Sequence, residues 1–523
     1  MKTIDEMIAA DFGTIGELIA NHAAARPDHP ALVMETGALS WGELDRLMDR
    51  IGAALQRDGV AQGEAISVCA TTSLEYAALF LGALRVGVAV APLAPSSTGE
   101  QLAGMVADCK ARLFFLDAGI EAAMADVLDQ IAAPRVRLDT AQFTDWMAPE
   151  GAQPQPVDIK PTDPFNIIYS SGTTGAPKGI VQSHGMRWRH VVRLDGLGYG
   201  PDARSLLSTP LYSNTTLVCF FPTLAGGATV HLMAKFDTVR FLELAQRHRI
   251  THAMLVPVQY RRLMEHADFD RFDLSSFEMK FCTSAPFAAE LKADVLKRWP
   301  GGLVEYFGMT EGGGSCILFA HQFPDKLHTV GQPGPGSDIR LIGEDGREVA
   351  VGEVGEIVGA SAATMNGYFG RPDKTAEAIW TDPETGKRYI RTGDVGRFDA
   401  EGFLTLMDRK KDMIISGGFN IYPSDLEAVI VQHPAVAEAA VVGVPSKEWG
   451  ETPVAFVALK SAVEAEDLRG WVNGQVGKTQ RLSDVRIVEA LPRSHIGKVL
   501  KRELREAYPE SSPSSTGGSG PNA

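Results

Sequence analysis

At 523 residues the chain is too long for one hydrophobic core, so several packed units are expected. Apolar residues make up 45% and charged residues 22%, the balance of a folded globular protein. The formal net charge of −15 excludes a broad basic surface that follows nucleic-acid phosphates, so anionic ligands must be held locally, by loops and a few placed cations.

The first residues carry Asp5, Glu6, Asp11 and Glu17, with no basic start leading into an apolar run, so a cytoplasmic protein without a secretory signal is expected. Residues 77–95 form the most membrane-like window, but Arg85, Gly87 and Pro92 interrupt it. A buried helix running into a buried strand is the better reading, and no transmembrane segment is expected. From about residue 15 to residue 389, short β-branched runs alternate with Ala- and Leu-rich stretches. Residues 114–116 and 253–256 read as buried strands, 240–248 and 288–299 as helices. This alternation predicts a layered α/β architecture with parallel sheets. The five cysteines are scattered without a C-x-x-C pair, which favours free thiols over a zinc site.

The composition changes after Asp394. Residues 398–407 hold a turn and strand-like residues, and Asp408-Arg409-Lys410-Lys411-Asp412 follows as a charged run. Beyond it a helix over 424–432, strands over 437–444 and 454–459, a helix over 464–476 and a strand over 485–488 suggest a small α+β unit. The expected organisation is α/β and α+β: a large N-terminal domain of layered sheets with helices (1–408), a small mobile C-terminal domain (409–508), and a disordered Ser/Gly/Pro tail (509–523).

Residues 169–179 read YSSGTTGAPKG, between strand-like 166–169 and 180–181. Glycines (Gly172, Gly175) let successive backbone N–H groups converge on an anion. The hydroxyls of Ser170, Ser171, Thr173 and Thr174 add donors, and Lys178 adds a charge. Pro177-Lys178-Gly179 stands where a P-loop would need Gly-Lys-Ser/Thr, so this is another kind of phosphate loop. It is very similar to that of the adenylate-forming superfamily: acyl-CoA synthetases, nonribosomal peptide adenylation domains and beetle luciferases.

Further motifs follow in the order of that superfamily. Residues 306–311 read YFGMTE, with Tyr306, Phe307 and Gly308 before Thr310 and Glu311. An aromatic ring can stack on adenine, a hydroxyl can donate to phosphate, and a carboxylate can hold Mg²⁺. The resemblance gives these tasks to Phe307, Thr310 and Glu311, and puts Ser284-Ala285-Pro286 on the other face of the adenine. Arg391-Thr392-Gly393-Asp394 resembles the Thr-Gly-Asp whose Asp accepts both ribose hydroxyls. In DRKKDMIISGGFN (408–420), Arg409 matches a nucleotide contact, Lys411 the hinge between domains, and Gly417 and Gly418 a pantetheine wall. Lys498, in PRSHIGK, matches the lysine that neutralises charge during adenylation. Trp449 and Arg481 match positions that touch CoA in aryl-CoA ligases. Tyr212-Ser213 falls at the acyl pocket, with Ser213 where relatives often carry histidine.

The resemblance covers residues from about 15 to about 505. It implies an acyl-CoA synthetase that uses ATP, Mg²⁺ and coenzyme A to activate a carboxylic acid, and the wording of 408–427 points to a fatty or aromatic one. The partners expected are these small molecules; a homodimer is left open. An adenylation enzyme that loads a carrier protein shares the first half-reaction, and a luciferase-like oxidative enzyme shares every motif. A non-catalytic nucleotide binder would be expected to lack Lys498 or Glu311, and both are present.

Overall fold

The computed structural model describes residues 3–169, 178–192, 194, 196–409, 412–416, 419–446, 449–493 and 499–508. The chain forms two compact units. Met1–Thr392 and Arg397–Thr405 make up the large one, and Gly393–Gly396 and Leu406–Ala523 the small one.

The large unit contains a nine-stranded and a seven-stranded sheet, both mixed. In the seven-stranded sheet Ala65–Cys69 pairs in parallel with Ala89–Pro92 and with Phe114–Leu116. All residues of Ala65–Cys69 are buried, as expected of a strand covered on both faces. The membrane-like window resolves into the buried helix Leu74–Arg85 and the strand Ala89–Pro92. Among the described residues no helix is long and apolar enough to cross a membrane.

The elements that carry the motifs are, in chain order, β1 (Pro164–Tyr169), β2 (Gly179–Ser183), α1 (His184–Val191), β3 (Arg204–Leu207), α2 (Asn214–Ala225), β4 (Met279–Cys282), β5 (Gly302–Gly308) and β6 (Gly367–Tyr368). The expectation of parallel sheets needs correction here. β1 and β2 are an antiparallel hairpin, and β6 lies antiparallel against β2. A further sheet pairs Asp338–Ile342 with Val354–Ala360 antiparallel. Parallel neighbours need a long crossover, and the short link between β1 and β2 cannot supply one.

One core joins Phe281 and Val304 of the nine-stranded sheet to Val68 and Phe165 of the seven-stranded sheet, through Leu217, Phe220 and Phe221 of α2. A buried Phe contributes about 2–3 kcal/mol, so α2 is strongly held. A second core contains Phe241, Tyr260, Val295 and Trp299. All five cysteines are buried free thiols.

In the small unit Ile414–Ser416 lies between Phe419–Ile421 and Gly450–Leu459; the latter also pairs with Val436–Ser446, and in parallel with Asp484–Ile487. Ile414, Leu426, Val441, Val457, Leu468 and Val485 form its core. The helix expected over 464–476 is shorter, Ala465–Asn473, and ends at Gly474, a poor helix former.

Candidate active site

Three loops that leave the carboxyl edge of the nine-stranded sheet carry motif residues. β4 and β5 are parallel, with Cys282 opposite Glu305. Beyond β4 come Ser284, Ala285 and Pro286, and beyond β5 come Thr310 and Glu311. β3 leads into Tyr212, Ser213 and α2. Such an edge is the usual ligand crevice of a parallel sheet. Strand alternation sends Tyr306 to one face of β5, and Glu305 and Phe307 to the other. Tyr306 lies stacked with Phe281 at a ring separation of 6.0 Å, while Glu305 makes a buried ion pair with Lys292. The two aromatics grouped together in the sequence therefore face different surroundings. Ser284 has φ +83°, a left-handed backbone that costs a non-glycine residue about 1–3 kcal/mol and tends to occur at functional sites. Its hydroxyl is hydrogen-bonded to that of Thr215 on α2.

Thr310 and Glu311 occupy a turn followed by three glycines in left-handed backbone. A Cβ at Gly312 would collide with the Ala363 carbonyl oxygen, because residues 363–369 pass directly against the turn. This strap stitches two motifs together. The Gly313 N–H donates to the Ala363 carbonyl (3.1 Å), and the Met365 N–H to the Glu311 carbonyl (2.9 Å). Then the Asn366 N–H donates to the Val181 carbonyl (2.8 Å), and the Phe369 N–H to the Gly179 carbonyl (2.7 Å). The Gln182 amide adds a bond to the Thr310 carbonyl (2.6 Å). The strand β2, which follows the 170–178 segment, is thus tied to Thr310–Glu311 by backbone.

One side chain of the strap enters the site. The Tyr368 hydroxyl donates to Glu311 Oε1 (2.9 Å), and Lys178 Nζ lies 5.0 Å from the centre of the Tyr368 ring. Burial, reinforced by the adjacent Glu311 carboxylate, pushes the phenol pKa up, so it stays a protonated donor. Sequence reasoning missed Tyr368; only the antiparallel pairing with β2 reveals it.

Ser213 is buried at the N-cap of α2, where its side chain makes no capping bond. Tyr212 is half-buried, and burial raises its phenol pKa. Next to them Asn214 Oδ1 accepts from Arg187 Nη2 (2.8 Å), while Arg187 Nε donates to Asn166 Oδ1 on β1 (3.0 Å). Arg187 is 0% exposed, and burial pulls its pKa down to about 9. Its guanidinium lies 5.9 Å from the Phe165 ring centre and 6.0 Å from that of Phe221. Sequence analysis did not single out Arg187.

Residues 19–369 match the AMP-binding enzyme family, and residues 425–498 match the AMP-binding enzyme C-terminal domain. The chain belongs to the AMP-binding enzyme family. It is 31% identical to an indoleacetate–CoA ligase of Aromatoleum aromaticum, over 94% of this chain and 98% of that one. It is 32% identical to a feruloyl-CoA synthase of Amycolatopsis, over 92% of this chain and 96% of that one. ATP-bound MatB from Rhodopseudomonas palustris superposes with a TM-score of 0.86 at 27% identity, covering 95% of this chain and 99% of that one.

The remaining motif residues of this AMP-binding enzyme are placed unit by unit. In the large unit Arg391 makes a two-pronged ion pair with Glu356. Asp394 lies in the strand Arg388–Phe398, on the stretch Gly393–Gly396 that groups with the small unit. Within the small unit Trp449 is exposed at 52%, next to Gly450, which pairs with Ser416. Arg481 is exposed just after the short helix Lys478–Gln480. Arg409 ends the strand Leu404–Arg409. Ser170, Ser171, Gly172, Thr173, Thr174, Gly175, Lys411, Gly417, Gly418 and Lys498 lie outside the described residues.

Glu311 suits Mg²⁺ arriving on a nucleotide. That ion favours one or two carboxylates together with phosphate oxygens and waters over an all-protein cage. Among the described residues no cluster of three or more His, Cys, Asp or Glu could form such a cage. Tyr368 fixes the Glu311 carboxylate through Oε1.

Proposed function

We propose that this enzyme is an acyl-CoA synthetase for an apolar monocarboxylic acid, fatty or aromatic. A carboxylate oxygen of the acid attacks the α-phosphorus of ATP, and the bond from that phosphorus to the bridging oxygen breaks, releasing pyrophosphate. The CoA sulfur then attacks the acyl carbon, loses its proton to solvent and displaces AMP. The observation that carries this reading is the convergence of Thr310–Glu311, Ser284 and Tyr212–Ser213 at one sheet edge, with Lys178 tied in by the strap. Charge builds on the α-phosphate oxygens in the first step, so placed donors do most of the work. Thr310, Lys178 and the loop hydroxyls would contact phosphate, and Phe307 and Ser284-Ala285-Pro286 would enclose adenine. Asp394 would bind the ribose and Arg409 the nucleotide, with Lys498 supplying a charge for the first step. Mg²⁺ held by Glu311 would neutralise phosphate charge. Trp449, Arg481, Gly417 and Gly418 would form the thiol channel, with Lys411 the hinge between half-reactions. The aromatic substrates in the names of the relatives support an apolar acid.

Pyrophosphate release should be measured with ATP, Mg²⁺ and a panel of acids, with and without CoA. The expected result is acid-dependent pyrophosphate and AMP, and a thioester only when CoA is present. Formation of ADP, or pyrophosphate release indifferent to the acid, overturns the proposal. Acyl-AMP that CoA cannot discharge would point to a carrier-protein thiol.

A further inference from the structure

The strap over residues 363–369 holds more than backbone. It places a neutral phenol on the carboxylate assigned to the metal and under the lysine that closes the phosphate loop. We infer that Tyr368 is a positioning residue for Mg²⁺·ATP: it holds Glu311 through Oε1 so that Oε2 faces the nucleotide, and it sets the distance between Glu311 and Lys178. This rests on the assignment of Glu311 to the metal.

Three observations carry it. The hydrogen bond is 2.9 Å with the phenol as donor, so it favours the ionised carboxylate that a cation requires. The ring is gripped from both ends of the site. Tyr368 is in register with Ile180 on β2, and the strap's Met365 N–H bonds the Glu311 carbonyl (2.9 Å). The position of the hydroxyl is therefore set by the same backbone that positions the two motifs. Finally, Lys178 lies 5.0 Å above the ring face, where the π-system attracts a cation without neutralising it, so its charge remains available to phosphate. Among the described residues, Tyr368 is the side chain that hydrogen-bonds the Glu311 carboxylate. Removing the partner of a metal-ligating group typically weakens metal binding 10–100-fold.

The test is Tyr368→Phe, which keeps the ring and the cation contact and removes one hydroxyl. Mn²⁺ binding is titrated by electron paramagnetic resonance with the non-cleavable analogue α,β-methylene-ATP present, so no turnover is needed. Tyr368→Phe should raise the half-saturating Mn²⁺ concentration about tenfold. Pyrophosphate release should recover at high metal, with the KM for the acid unchanged and Tm near that of the parent. Glu311→Gln serves as the reference and should weaken Mn²⁺ at least as much. If Tyr368→Phe binds Mn²⁺ like the parent while Glu311→Gln does not, the positioning role is overturned and the metal assignment stands. If Glu311→Gln also binds normally, the metal lies elsewhere and both fall. A weakened Tyr368→Phe that added metal cannot rescue, with a lowered Tm, means the hydroxyl only supports the fold, and overturns the inference too.

Discussion

Among the buried cations of the large unit, Lys292 and Arg187 are satisfied in opposite ways. Lys292 makes an ion pair with Glu305 and donates to the carbonyls of Leu327 (2.8 Å) and Thr329 (3.0 Å). Arg187 meets only the amide oxygens of Asn166 and Asn214 and the faces of two phenylalanines, and its Nη1 has no hydrogen-bond partner among the described residues. The first arrangement is an architectural clamp at the base of β5. The second joins the strand that enters the phosphate loop to the first residue of α2, beside Ser213. A charge without an anion is costly to bury, so the contrast suggests that Lys292 serves stability and Arg187 serves the spacing of the site.

The largest effect is expected from a third cation, Lys498, assigned to act directly on the reacting groups. Lys498→Ala should slow acid-dependent pyrophosphate release by about a hundredfold or more, since a charge contact in a dry site is worth several kcal/mol. Conversion of pre-made acyl-AMP and CoA to thioester should persist. Equal loss in both half-reactions would remove the distinction between this cation and the buried pair.

Glu305→Gln should act on stability instead. Leaving Lys292 buried without its anion costs about 3–5 kcal/mol, which calorimetry would record as a clear fall in Tm. The KM values of the surviving enzyme should stay close to the parent's. Arg187→Met should do the reverse: Tm should change less than in Glu305→Gln, and the KM for the acid should rise about tenfold, equal to about 1.4 kcal/mol. Arg187→Lys should recover part of that rise. A Tm loss matching Glu305→Gln with an unchanged KM for the acid would make the two cations alike.

Ser213→Phe sharpens the acyl side alone. If Ser213 borders the acyl group, the KM for bulky acids should rise several-fold more than that for short ones, and the KM for ATP should stay constant. A uniform change across a size series of acids would place Ser213 outside the pocket.

The smallest effect concerns buried histidines, the neutral counterpart of these cations. Burial lowers the pKa of His184 to about 4 and of His231 to about 3, so both are neutral when folded and take up a proton more readily when unfolded. Their contribution is complete above the unfolded value of 6.5 and is lost as pH falls toward those folded values. Between pH 6.5 and 5.5 each should remove about 1 kcal/mol. His231→Gln should make Tm less sensitive to pH over that interval.

What could be read from the sequence, and what could not, follows from how each residue acts. The assignments of the 169–179 loop, Thr310–Glu311, Asp394 and the 408–420 run come from a resemblance carried by adjacent residue types, which a sequence displays directly. Buried runs such as 114–116 and the window over 77–95 follow from hydrophobic pattern alone. Tyr368 and Arg187 gave no such signal. Tyr368 matters through a partner 57 positions away, brought near by an antiparallel pairing. Arg187 is buried against residues distant in the sequence, with the rings of Phe165 and Phe221 beside its guanidinium. The same limit explains the parallel-sheet expectation: period-two runs declare strands, but direction depends on connections. It also explains why Tyr306 and Phe307 were grouped, since only strand alternation separates them.

The five buried thiols have a practical consequence for optics. Burial raises the pKa of Cys69, Cys109, Cys219, Cys282 and Cys316, so none presents a reactive thiolate at the surface. A maleimide dye should therefore ignore the native protein, and no cysteine needs to be removed before labelling. Val239 on the large unit and Val431 on the small one are exposed at 42% and 47%. Cysteines introduced at these two positions would be the only sites such a dye could reach. A donor–acceptor pair there would let single-molecule energy transfer test whether the units move relative to one another during the proposed reaction, with the natural thiols dark throughout.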